Sequence, residues 1–125
     1  VSNTDSLEHG RDQGFRVTMT TRQWQIIDAT IDNEVDMAVT NGDPQQHVAE
    51  LGRSIRQAGW DQLIGADGEW PPVDEVVSVT LSGPQWELVT ESLENWASVS
   101  DDLGQHDDAQ RGRLIRTLVK GQLPR

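Results

Sequence analysis

Five arginines, Arg53, Arg56, Arg111, Arg113 and Arg116, hold half of the ten basic side chains in this 125-residue chain. Guanidinium groups grip carboxylates in a planar fork, so such a set either pairs with acids of its own chain or forms a patch for an acidic partner. A second set occupies alternate positions of two short segments: Arg16, Thr18 and Thr20, then Ser78, Thr80 and Ser82. Their guanidinium and hydroxyl groups suit hydrogen bonds to a protein or to base edges. The carboxylates Asp101, Asp102, Asp107 and Asp108 could gather Mg²⁺ or Ca²⁺, but their spacing is not that of an EF-hand and reads as a solvated, counterion-holding loop. His9, His47 and His106 are the only histidines, and there is no cysteine. No Gly-rich phosphate loop, His-Glu-x-x-His helix or Gly-x-Ser-x-Gly elbow occurs. Without a convergent nucleophile, base or ligand set, no enzyme activity, cofactor or metal site is expected.

The elements that position these residues come from a repeat. "RVTMTTRQWQII" at 16–27 returns as "SVTLSGPQWELV" at 78–89, matching Trp24 with Trp86, Ile31 with Leu93 and Gly42 with Gly104. After a two-residue deletion, Gly52, Arg53, Ile55 and Arg56 match Gly112, Arg113, Ile115 and Arg116. The series reads as a tandem duplication, repeat 1 at 15–59 and repeat 2 at 77–121. Each copy opens on strict alternation, Phe15, Val17 and Met19 against Arg16, Thr18 and Thr20, and Val77, Val79 and Leu81 against Ser78, Thr80 and Ser82, which predicts half-buried strands.

Thr20 with Gln23, and Ser82 with Gln85, then spell capping boxes, and Met19 or Leu81 is spaced to staple Trp24 or Trp86. The two Trp residues are therefore read as structural. The first helix of each copy should end at Asn41-Gly42 or Leu103-Gly104. In copy one a second helix should start from Asp43 as N-cap, Pro44 at N1 and Gln46, carry Val48, Leu51, Ile55 and Ala58 on one stripe, and stop at Gly59. In copy two Asp107 or Asp108 should cap a shorter helix with Leu114, Ile115, Leu118 and Val119, ending at Gly121. Residues 60–76 read as a linker packing through Trp60, Leu63, Ile64 and Trp70, and residues 1–14 as a mobile polar segment. The expected fold is α+β: one domain over 15–125, two β-α-α units with strands paired antiparallel, four helices on one face and a pseudo-twofold axis. A sheet of two strands is thin, so a homodimer supplying further strands is expected.

Twenty-one acidic residues, thirteen of them Asp, oppose nine Arg and a single Lys, Lys120, for a net charge of −11. Such a domain repels itself in dilute buffer, whereas at about 1 M salt the Debye length is only about 3 Å. The Asp-heavy, nearly lysine-free composition resembles that of cytosolic proteins from extreme halophiles, a compositional class that implies no activity. No apolar run reaches bilayer length and no signal-peptide pattern opens the chain, so the cytoplasm is expected and the membrane is not.

Two family resemblances follow from these residues. The order strand, helix, helix resembles the ribbon-helix-helix DNA-binding fold, in which paired strands enter the major groove. It implies base contacts from Arg16, Thr18, Thr20, Ser78, Thr80 and Ser82. Here, however, the first helix is about twenty residues long, Asn-Gly-Asp-Pro replaces the family's turn, only Arg16 of the six is charged, and the net charge opposes a phosphate backbone. His106-Asp107 resembles the His-Asp dipeptide of metal-dependent phosphohydrolases, without the further ligands that family needs. The expected function is a non-enzymatic protein-interaction or regulatory module with an acidic protein partner, using Arg53, Arg56, Arg113 and Arg116. DNA binding ranks second and metal-dependent hydrolysis last.

Overall fold

The computed structural model describes residues 14–42 and 47–124. The chain runs β1 (Phe15–Thr20), α1 (Thr21–Thr40), α2 (His47–Leu63), β2 (Val76–Leu81), α3 (Gly83–Asp102) and α4 (His106–Gln122). β1 and β2 form an antiparallel two-stranded ribbon in which Phe15 lies opposite Leu81 and Val17 opposite Val79. Alternation decides which side is buried. Val17, Met19, Val79 and Leu81 point into the core, where they join Trp24, Ile27 and Ile31 of α1 and Trp86, Val89 and Leu93 of α3.

Both strand-to-helix corners are built as the sequence predicts. The Thr20 hydroxyl accepts the Gln23 N–H while Gln23 Oε1 accepts the Thr20 N–H, and Ser82 and Gln85 make the same reciprocal pair. The next amide donors are handled differently in the two halves. On α1, Thr21 and Arg22 donate to the carbonyls of Glu75 and Val73 in the segment before β2. On α3, Pro84 occupies the position of Arg22 and has no N–H to satisfy. Each long helix has 20 residues and is followed by a glycine at positive φ, Gly42 at 76° or Gly104 at 79°, as the C-terminal signals predict.

The second helices depart from the expectation. α2 does not stop at Gly59 but passes through it to Leu63. A Cβ there would sit 2.1 Å from Cζ2 of the fully buried Trp24, so this glycine exists to let helix backbone lie against the indole. The buried stripe is accordingly Ala49, Gly52, Ile55, Gly59 and Leu63, with Val48, Leu51 and Ala58 only half-buried. The proposed Asp43, Pro44 and Gln46 cap lies outside the described residues, as do positions 1–13 of the N-terminal segment.

α4 has 17 residues, as many as α2 has among the described residues. Its N-cap is Gln105, with no side-chain cap bond, and Asp107 and Asp108 stand in the first turn instead. There their charges face the positive end of the helix, which stabilises without a direct cap bond. The helix continues one residue beyond Gly121, and Ala109, Ile115 and Val119 are buried while Leu114 is exposed. Trp60 and Leu63, expected in the linker, belong to α2.

Each long helix packs chiefly on the second helix of its own half, α1 on α2 and α3 on α4. The second helices, however, reach across to the opposite strand, α2 to β2 and α4 to β1. No described helix is long and apolar enough to cross a membrane.

Candidate functional site

The arginines expected to form a surface patch are largely spent on seams between helices. Arg56 of α2 bonds Asp28 through Nε at 3.1 Å and Asp32 through Nη1 at 2.9 Å, both on α1. The Asp28 hydrogen bond is the main reason its pKa is raised above the usual arginine value, desolvation opposing it. Arg113 of α4 bridges two turns of α3, bonding Glu94 through Nη2 at 3.1 Å and also Asp101. Its guanidinium holds both carboxyls below the ordinary carboxylate range, with His106 adding to the effect at Asp101. Arg116 lies 4.0 Å from Glu94, and Arg111 pairs with Asp108 at 3.2 Å. These pairs are half-exposed, so they orient the helices more than they stabilise them.

Arg53 differs from the other four. It is exposed and, among the described residues, meets no carboxylate. Beside it lies an open cleft of about 580 Å³ lined by Asp28, Arg53, Arg56, Gln57, Trp60 and Trp70. Trp60 is 50% exposed and meets Trp70 edge to face, with centroids 5.9 Å apart and planes at 82°. That T-shaped contact holds the Trp60 ring in place while leaving much of it in water. Gln57 donates through Nε2 to Asp61 at 2.8 Å. The cleft thus joins a flat apolar surface to one unneutralised cation and contains no nucleophile with a base beside it.

The six strand residues are brought to the outer side of the ribbon, but not as six free groups. Thr20 and Ser82 are occupied as helix caps. Thr18 and Ser78 bond each other across the strands, Oγ1 to Oγ at 2.9 Å. Arg16 lies opposite Thr80, and both are exposed. The ribbon set and the α2 and α4 arginines form separate surfaces, because the helices pack on the other face of the sheet.

The acidic loop is not assembled for a cation. Asp101 is engaged by Arg113 and by His106 Nδ1 at 2.8 Å, and Asp108 by Arg111. Among the described residues no group of three His, Asp or Glu side chains is placed to hold a metal ion. His106 with Asp107 therefore gains no further ligand from the fold.

Sequence reasoning missed three features. Trp60 was assigned to a linker, although its position next to the helix-borne Arg53, Arg56 and Gln57 at helical spacing was readable. Gln62 and Gln122 were also missed. They continue the 60-residue offset of Arg53 with Arg113, as Leu63 continues with Leu123, so the matched segments extend past the glycines where the reading stopped. Neither a protein-family model, nor a curated protein, nor a solved structure matches the chain.

Proposed function

We propose that this chain is a salt-adapted, non-enzymatic interaction module of the cytoplasm, made from a duplicated β-α-α unit, whose Arg53–Trp60–Trp70 cleft receives an acidic, apolar-anchored segment of a protein partner. The observation that carries the reading is Arg53, which among the described residues is the one second-helix arginine that meets no carboxylate, standing beside a half-exposed indole. The two groups work in different regimes. A net charge of −11 opposes an acidic partner at low ionic strength, and at high salt both that repulsion and the Arg53 attraction are screened. Burial of the Trp60 ring is not screened, so it supplies affinity while Arg53 selects a carboxylate.

The duplication is supported by the paired capping boxes, the equal lengths of the two long helices, and a register in which Val17 faces Val79, its own counterpart 62 positions on. A pseudo-twofold axis through that pair relates the halves.

The test is capture of partners from extract at about 1 M KCl, comparing the parent chain with Trp60→Ala, Arg53→Glu and the distal Arg16→Ala. A protein retained by the parent and by Arg16→Ala, but lost with both cleft variants, is the expected result. Equal retention by all four would sink the cleft.

A second reading rests on the ribbon, whose outer face carries the exposed residues Arg16, Thr18 and Thr80. It makes the chain a DNA-binding regulator. Fluorescence anisotropy of labelled duplex DNA, followed from about 0.1 M to about 1 M KCl, decides it: no rise at any salt removes this reading, and a rise abolished by Arg16→Ala installs it.

A further inference from the structure

Strand edges invite pairing because their outward N–H and C=O groups have no partner, and a sheet of only two strands is nearly all edge. In this ribbon the even-numbered residues turn their backbone outward: Arg16, Thr18 and Thr20 on β1, and Val76, Ser78 and Thr80 on β2, with Ser82 just beyond it. One position on each strand is occupied by a glutamine from the last turn of a second helix. Gln62 Oε1 accepts the Thr80 N–H at 2.7 Å and its Nε2 donates to the Thr80 carbonyl at 2.8 Å. Gln122 does the same to Thr18, at 2.9 and 2.8 Å. A carboxamide carries the same donor and acceptor as a peptide group, so each side chain takes the place that the backbone of a third strand would occupy. The outer positions Thr20 and Ser82 have already given their N–H groups to Gln23 and Gln85. Four of these seven outward N–H groups are thereby closed, leaving those of Arg16, Val76 and Ser78.

We infer that the two edges of the ribbon are a self-association surface for a second copy of this chain, and that Gln62 and Gln122 hold it shut. A second copy is the occupant because edge pairing sets no acids against each other even between two chains of charge −11: neither β1, FRVTMT, nor β2, VVSVTL, carries a carboxylate. Their β-branched, hydroxyl-rich residues also favour extended pairing. The clip comes from the helix of the opposite half, so correct packing of α2 on β2 and of α4 on β1 is what closes each edge. A half-docked second helix would leave its strand open.

Hydrogen exchange on the intact chain reads the clips directly. The Thr18 and Thr80 amides should exchange at least about tenfold more slowly than those of Arg16 and Ser78. Gln62→Ala should release Thr80 but not Thr18, and Gln122→Ala the reverse. The double variant Gln62→Ala/Gln122→Ala should sediment as a dimer or larger species at a concentration where the parent is monomeric. Unchanged exchange in the single variants overturns the inference, and so does a double variant that keeps its helical circular dichroism and stays monomeric. A parent chain already dimeric, with Arg16 and Ser78 protected, overturns it as well.

Discussion

Gly59 and Gly112 both lie inside second helices, yet a methyl group added to each should act in opposite directions. At Gly59 the new Cβ would stand 2.1 and 2.4 Å from ring carbons of Trp24, which is fully buried and has nowhere to go. The helix gains about 1 kcal/mol of propensity from alanine, but overpacking a filled core costs about 1–3 kcal/mol or more. At Gly112 the nearest atom, the Leu93 carbonyl oxygen, is 3.6 Å away, an ordinary contact. Gly112→Ala should therefore raise stability by roughly 0.5–1 kcal/mol, while Gly59→Ala lowers it, as read by denaturant unfolding of the two variants side by side. Gly52, which matches Gly112 in sequence, resembles Gly59 in space, since its Cβ would meet Val35 Cγ2 at 2.5 Å. In one dimension Gly59 carried the same signal as a helix stop. Only its neighbour in space showed that it marks a crossing.

The α3–α4 pair is joined by Arg113 to Glu94 and Asp101, and the sign of its pH dependence follows from their lowered pKa values. Carboxyls held below their unfolded values contribute stability at neutral pH, and that contribution fades as pH falls through the folded values. Arg113→Gln should unfold at a lower temperature than the parent at pH 7, with the two curves converging below about pH 4, where unfolded carboxyls are themselves protonated. Exposure of the pair keeps the difference small, and added salt should shrink it. A gap that persisted at pH 2 would assign the loss to packing of the arginine stem. The Arg-to-acid complement was legible in composition and spacing. Which acids each arginine meets depended on how α3 and α4 are rotated about each other, which the periodicity leaves open by tens of degrees.

At the scale of the molecule, the net charge of −11 sits on a chain with twenty-one acids against ten cations, four of which, Arg56, Arg111, Arg113 and Arg116, are held in ion pairs among the described residues. Self-repulsion is then a whole-surface property, and screening it should stabilise the fold even as individual ion pairs weaken. Raising KCl from about 0.1 M to about 1 M should lift Tm by about 4 °C or more, the shift that roughly 1 kcal/mol produces in a domain of this size. A Tm that fell or stayed level would count against salt adaptation. This effect and the Arg113 seam have opposite salt dependence, so the parent's Tm should rise while its margin over Arg113→Gln narrows.

Much of the fold was written locally. Alternating residues specified two strands, Thr20 with Gln23 and Ser82 with Gln85 specified two corners, and Gly42 and Gly104 ended two helices, because each signal acts within about one turn of the chain and needs no distant partner. The antiparallel pairing and the inward set Val17, Met19, Val79 and Leu81 also followed, since a ribbon with one apolar face has one side to bury. What required three dimensions was every feature made where helices cross each other or the sheet. The passage of Gly59 across Trp24, the edge-to-face contact of Trp60 with Trp70, and the reach of Gln62 and Gln122 to the far strands join residues brought together by tertiary packing. A side chain in the last turn of a helix points wherever packing turns that end, and the same glutamine that reads in sequence as a polar surface residue becomes, once α2 and α4 cross the sheet, the closure of its edge.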